Sequence, residues 1–391
     1  MQLSDLCQHL HRGGAATLNH PATYAVAEGA IIAPARYAMD RGGSTFVFET
    51  RYLDGEYRRT ALIDSKQSQS NRAEEGLLAA RRDGGPARLI PTIEVSYPDR
   101  APLSDLELPG RAVDAHIRFA TQDGVPVVST DWYTALRDAS SADLSAVATV
   151  APALLAFGGW DSSRKSGQLR LRGLFVSELF GVVDADRDPD RGPVSKRSGA
   201  RLDPLGQDFY LSPDQFERLV AMQRDHLSPK LVTKLEKAVA DARKKNTEAI
   251  PAAELNLGGI PPSTSAPFGL AVPEVRRART FSLAGLRRLR FGGSADDDVA
   301  MRGALLAMLL LGAAYADADP DLRAYCDVSA PRATVSLDDE TVDLDLSIDT
   351  CSAFLADAID RLPSRLAWTG QIQAVTGDAA LSKVARDDTQ E

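Results

Sequence analysis

Cysteine is scarce in this chain of 391 residues: Cys7, Cys326 and Cys351 are odd in number, far apart and free of any CxxC pair. That pattern excludes a disulfide-built scaffold and a zinc knuckle, and favours a reducing compartment. Histidine is equally sparse. His9 and His11 stand two apart on a probable helix and so face different ways, while His20, His116 and His226 are isolated, which leaves no metal pair. GxxxxGK[ST], HExxH, GxSxG and GxGxxG are all missing, so the common phosphate-loop, metalloprotease, serine-hydrolase and dinucleotide signatures do not apply. The longest apolar run, Ala304 to Ala314, is too short to span a bilayer. The opening MQLSDLCQHLHRGG has no basic region leading into an apolar block. The expected location is the cytoplasm, without membrane contact.

The formal net charge of −9 argues against a protein that coats nucleic acid indiscriminately, so any nucleic-acid surface has to be local. Charge is in fact segregated. Val275 to Ala295 carries six arginines (Arg276, Arg277, Arg279, Arg287, Arg288, Arg290) and no acid, whereas Ala316 to Arg361 carries twelve acids against three arginines. A basic and an acidic face can coexist on such a chain. Asp296-Asp297-Asp298 precedes an apolar helix, where it complements the helix N-terminus more simply than it holds a metal.

Periodicity predicts helices over Asn71 to Arg82, Arg111 to Ala120, Gln215 to Asp225, Lys230 to Lys245 and Val299 to Tyr315. Alternation at Phe46 and Phe48, and at Val342, Leu344, Leu346 and Ile348, predicts strands, with a hairpin-like turn at Asp338 to Glu340. The class is α+β. We expect one folded body over residues 1–391, with an exposed excursion at 184–209, a helical insertion at 212–250 and a frayed tail at 376–391. No internal repeat is present.

Two stretches combine amides and hydroxyls with cations. In DSKQSQSNR (64–72), Gln67, Ser68, Gln69, Ser70 and Asn71 lie between Lys66 and Arg72, just ahead of a helix expected to begin near Asn71. The mixture suits either an elaborate helix cap or a grip on a phosphate. In AFGGWDSSRKSGQLRLRGLFVSEL (156–179), Gly158-Gly159 allows a tight turn before Trp160, Asp161, Ser162 and Ser163, and Arg164 and Lys165 follow. Arg170 and Arg172 alternate with Leu169 and Leu171, which predicts both guanidinium groups on one face of a strand. Trp160 is read first as a core residue and second as a stacking platform. Asp161-Ser162-Ser163 has no histidine nearby to activate a serine. Arg36, Arg41, Lys196 and Arg197 join these as candidate RNA contacts.

These segments also carry a resemblance. ALIDSKQSQSNRAEE from Ala61, LPGRAVDAHIR from Leu108, PALLAFGGWDSS from Pro152, RGLFVSEL from Arg172, RLDPLG from Arg201, GGIPPS from Gly258 and SLAGLRRLRF from Ser282 occur in order. The set resembles the backbone subunit of the type I-G (formerly I-U) CRISPR effector complex, a repeat-associated mysterious protein of the Cas-seven class. Two positions depart from that pattern: Lys66 stands where an apolar residue is common, and Gly110 where a histidine precedes Arg111.

The resemblance implies an RRM-like (ferredoxin-like) palm with inserted finger and thumb elements, residues 184–209 being a candidate for one of them. It implies copies stacked head to tail along crRNA, other CRISPR effector subunits as partners, and target DNA met through the guide. It also implies that Lys66 to Arg72 and Trp160 to Arg172 hold the guide, with no cofactor and no catalysis by this subunit. The alternative is an RNA endonuclease that cuts target RNA with an aspartate, Asp40 or Asp64.

Overall fold

A computed structural model describes residues 2–39, 44–98, 100–163, 169–183, 194–198, 210–251, 253–255 and 263–382. They form two compact units, one from Met1–Pro193 with Ala271–Glu391 and the other from Val194–Leu270.

The larger unit is built on a mixed sheet and helix layer. Its main elements are β1 (Thr17–Asn19), β2 (Phe48–Leu53), β3 (Glu56–Asp64), α1 (Lys66–Asp83), β4 (Gly159–Trp160), β5 (Arg170–Leu171), β6 (Phe175–Val182), β7 (Val275–Ser282), α2 (Ala295–Ala318), β8 (Val335–Leu337) and α3 (Ile348–Asp360). The largest sheet runs β8-β1-β7-β6-β3-β2, all antiparallel, with Glu340–Val342 added beside β8. Within it β8-β1-β7-β6, with α1 before β6 and α2 between β7 and β8, has the strand order of a ferredoxin-like split βαβ motif. This α+β palm carries the β2–β3 hairpin as an extra edge. A second sheet pairs Ile372–Thr376 in parallel with Thr92–Tyr97.

Strand β7 shows why the sheet is two-sided: Val275, Arg277, Arg279 and Phe281 are buried, and the residues between them are less so. Arg277 and Arg279 therefore point inward. Arg279 makes two bonds of 2.9 Å to Asp317 on α2, and Arg277 bonds the same carboxylate and, at 2.8 Å, the Tyr24 hydroxyl. Burial together with these two cations pushes His20 down to about 3, so the ring stays neutral among them. Two of the six arginines of the basic segment are thus structural. Arg276 is also paired, with Glu274 and Asp54.

Helix α2 is apolar all round because nearly every face is enclosed. Its length and hydropathy would suffice to cross a membrane, but 78% of that window is buried within the fold, as expected of a core helix. It crosses α1 at Gly76 and Gly312, where a Cβ on either residue would fall 2.4 Å from a backbone carbonyl oxygen of the other helix. Ser294 caps its N-terminus in a capping box with Asp297, and Asp298 accepts from the Phe291 N–H at 2.9 Å. Both carboxylates serve the helix start.

Three expected elements differ from those observed. The helix expected from Asn71 begins at Lys66, because Ser65 accepts from the Ser68 N–H and caps it there. The helix expected over Arg111 to Ala120 is two short turns, Arg111–Val113 and Ala115–Arg118, divided where Asp114 caps the second through the His116 N–H. The strand expected through Ile348 stops at Val342, since Asp345 accepts from Ser347 and Thr350 at the start of α3. The turn at Asp338 forms as read, with φ 48°.

In the smaller unit, helices Pro213–Gln223 and Pro229–Lys244 enclose their own core of Phe216, Val220, Leu235 and Val239. Val194–Ser198 pairs with Ser263–Leu270. Lys196 and Arg197 lie on the first of these strands, while most of 184–209 and the end of the 376–391 tail fall outside the described residues.

Candidate nucleic-acid interface

At the start of α1 the polar segment divides between interior and surface. Asp64 is fully buried and accepts from Ser68 Oγ at 2.9 Å, Gln69 Nε2 at 2.7 Å, Arg72 Nε at 3.0 Å and Arg323 at 2.5 Å. The other end of the Gln69 amide accepts from Ser177 Oγ at 3.0 Å, and Arg72 also donates to the Asp321 and Leu322 carbonyls. Ser68, Gln69 and Arg72 thus join β3, α1, β6 and the segment after α2. Lys66, Gln67 and Asn71 remain exposed, with the Lys66 ammonium 3.8 Å from Glu178.

The second segment is a short hairpin. Gly159 pairs with Leu171 and Trp160 with Arg170. Gly158 has to be glycine: its φ is +85°, and a Cβ would lie 2.5 Å from the Gly173 nitrogen. Trp160 is 52% exposed, which corrects the expectation of a core tryptophan. The Arg170 guanidinium lies 5.1 Å from the centre of its ring. The strand ends at Leu171, so the two arginines do not form one strand face; Arg172 turns to Ser282 Oγ at 2.7 Å. Arg164 and Lys165, like Arg41, lie outside the described residues, and Arg36 immediately precedes the strand Tyr37–Ala38.

A neighbouring group escaped the sequence reading. Arg118 donates to Ser163 Oγ at 2.9 Å and lies 5.6 Å from the centre of the Phe119 ring, which is 63% exposed. Ser163 is held by the buried Asp161 through both its N–H and its hydroxyl. Two exposed aromatics, each with an arginine against it, thus flank the Asp161–Ser163 turn. The signal available in the sequence was RF at 118 and 119, at the end of a motif noted for its arginine at 111.

Arg111 ties the two segments together. It bonds both oxygens of Glu74 on α1, at 2.5 and 2.8 Å, and donates to the Gly158 carbonyl at 2.9 Å. Its backbone is left-handed at φ 49°, a conformation kept by this bidentate clamp. Burial raises the Glu74 carboxyl above its ordinary value even though Arg111 opposes the shift. A cleft of about 330 Å³ opens between α1 and the Leu106–Arg111 loop, lined by Asn71, Glu75 and Glu107 among others.

Asp105, at the head of that loop, is fully buried, and burial pushes its carboxyl up to about 7. The Ile93 N–H and Ser104 hydroxyl, both at 3.3 Å, oppose this only in part. The folded protein therefore holds a proton there that the unfolded chain releases near pH 4. Stability present below that pH is lost as pH rises toward 7, by up to about 1.4 kcal/mol per unit. Asp105→Asn is expected to remove this slope in denaturant titrations between pH 4 and 8. An unchanged slope would assign it to another group. Burial also raises Cys326 to about 11 and Cys351 to about 12, so neither is a thiolate near neutrality.

Residues 18–185 match the model of a family described as CRISPR-associated protein GSU0053 (Cas_GSU0053). The match supports a CRISPR-associated protein. It spans β1 to β6 and contains the α1 start, the Arg111 clamp, the Arg118–Phe119 pair and the Trp160 hairpin. No curated protein matches the chain.

Proposed function

We propose that this CRISPR-associated protein is a non-catalytic backbone subunit of a type I-G effector complex, binding crRNA and displaying it for pairing with target DNA. The observation that carries the reading is the paired aromatic–arginine surface, Trp160 with Arg170 and Phe119 with Arg118, on a palm of ferredoxin-like strand order. Stacking faces beside cations are what single-stranded nucleic acid needs, because every base offers a π-face and every phosphate a charge. Arg172, Lys66, Gln67 and Asn71 extend the same chemistry, and a net charge of −9 favours a local binding surface over indiscriminate coating of nucleic acid. Copies lie head to tail on one guide alongside other effector subunits, in the cytoplasm.

The non-catalytic part of the reading is supported by Asp64. Of the two aspartates considered for cutting RNA, it is fully buried and already accepts from four side chains, which leaves no lone pair for a metal or a water. Asp40 lies outside the described residues.

Changing Arg170 and Arg172 together to alanine tests the proposal. Binding to single-stranded guide RNA is expected to weaken roughly tenfold or more, about 1.4 kcal/mol. The slope of log affinity against log salt should flatten by about 1.4 for two lost phosphate contacts. Unchanged affinity and slope, measured by fluorescence anisotropy at several salt concentrations, would exclude this surface.

A further inference from the structure

Of the six arginines between Val275 and Ala295, five are answered from within the fold. Arg276, Arg277 and Arg279 meet carboxylates, Arg290 reaches Asp298 at 3.3 Å, and Arg287 donates to the His9 and Ala15 carbonyls at 2.6 and 2.7 Å. Arg288 differs. It is exposed, and among the described residues its guanidinium has no hydrogen-bond or ionic partner. The turn that carries it is tied to Arg172 through one hydroxyl: Ser282 Oγ caps the short helix Leu283–Leu286 through the Gly285 N–H at 3.1 Å and accepts from Arg172 at 2.7 Å. The Arg288 N–H closes the turn on the Gly285 carbonyl, also at 3.1 Å.

Arg170, Arg172 and Arg288 all line one cleft of about 330 Å³, with Ser140 and Ser141 among its other walls. No acid lines it among the described residues. Cations gathered round one small space with no carboxylate between them repel each other, and an anion from outside relieves that repulsion. Leu144, Leu155 and Leu174 beneath them are at most 3% exposed, which leaves little apolar area for a protein segment to cover. The volume is at the small end of ligand sites, about 300–1,000 Å³, and suits a single nucleotide unit. Arg170 also lies against the Trp160 ring, so the cleft continues the aromatic–arginine surface.

We propose that this cleft holds the ribose-phosphate of one guide nucleotide, its phosphate bridging Arg172 and Arg288 while Arg170 and Trp160 hold a neighbouring base. This rests on the guide-RNA reading above and adds Arg288 to the residues that carry it. Planar guanidinium forks match phosphate oxygens, and the serine hydroxyls suit phosphate or 2′-hydroxyl oxygens.

Full-length Arg288→Ala, Arg288→Glu and Arg288→Lys chains test it against a single-stranded RNA short enough to hold one copy. With no internal bond to lose, all three should keep the parent's denaturant midpoint. Fluorescence anisotropy is expected to show affinity weakened about fivefold by alanine and further by glutamate. Lysine should fall between alanine and the parent, since it keeps the charge but not the fork. The slope of log affinity against log salt should flatten by about 0.7 in the alanine chain. Arg332→Glu is the control: Arg332 is exposed and pairs with Thr23, itself opposite Arg276 near the far end of β7, and the same change of charge there should cost less. Equal losses from the two glutamate changes would reduce Arg288 to general charge and overturn the proposal. Parent-like affinity and slope in Arg288→Ala, with the Arg170 and Arg172 double change still weakening binding, would overturn the cleft and leave the RNA reading standing. Unchanged RNA affinity with lost co-assembly with other effector subunits would give the cleft to a carboxylate of a partner protein, again overturning it. A parent chain without affinity for the RNA would remove the guide reading and this site together.

Discussion

Asp317→Ala is expected to lower stability by about 3–5 kcal/mol, the cost of leaving buried charge without its partner. One carboxylate answers both Arg277 and Arg279, whose side chains are almost wholly enclosed between the sheet and α2. Burial by itself would raise the Asp317 carboxyl, but Arg279 and Arg277 outweigh it and hold it below the ordinary carboxylate range. Its contribution is therefore complete above the unfolded value near pH 4 and disappears as pH falls through the lower folded value. Asp317→Asn should recover part of the loss by keeping hydrogen-bond acceptance without the charge. Denaturant midpoints at pH 7 for the parent and both variants measure this, and a loss under 1 kcal/mol, about the worth of an exposed pair, would show that the arginines find water.

Arg111→Ala comes next in size, because Glu74 is as enclosed as the arginines of β7 and has Arg111 as its bidentate partner. A loss of about 3–5 kcal/mol is expected at pH 7. The two cases differ in their response to acid. With Arg111 gone, the Glu74 carboxyl rises further, so the folded variant takes up a proton that the unfolded chain still lacks, and the deficit shrinks as pH falls toward 4. Glu74→Gln placed in the same chain should restore much of the stability at pH 7 by removing the stranded charge. A deficit independent of pH, unrelieved by the second change, would locate the cost in the left-handed backbone of Arg111 and its bond to Gly158. Because the clamp joins α1 to the Trp160 hairpin, the rescued double variant also separates folding from RNA affinity.

The α+β class and the helices of the smaller unit could be read from apolar spacing and from the Ser-Pro starts at Ser212 and Ser228, whose hydroxyls cap as their sequence suggests. The start of α1 was misjudged because Gln67 to Ser70 are polar. What holds them in a helix is the Ser65 cap on the Ser68 N–H together with Asp64, which lies four and five residues before Ser68 and Gln69 and accepts from both side chains. In the same way six arginines without a nearby acid read as a free basic face, although Asp317 lies forty residues beyond Arg277 in the chain and closes on two of them. Trp160 was assigned to the core on residue type alone. Its exposure follows from the two-residue pairing of Gly159-Trp160 with Arg170-Leu171, too small a ribbon to cover an indole. The Arg118–Phe119 pair has only the dipeptide RF as its signal in the sequence, and it is recognisable as part of the surface once Ser163 is brought to it.

Strand β1 lies between β7 and β8, so Leu18 meets Phe281 on one side and Leu337 on the other. A nascent chain therefore carries its first strand unpaired until most of the polypeptide has left the ribosome, and contacts of such long separation form slowly. The Val194–Leu270 unit, with a core of its own, is complete earlier in synthesis. Truncation between residues 318 and 335 would leave β1 as an open sheet edge and remove α3 from the apolar helix Ala295–Ala318, the combination that chaperones recognise and that aggregates when they are absent.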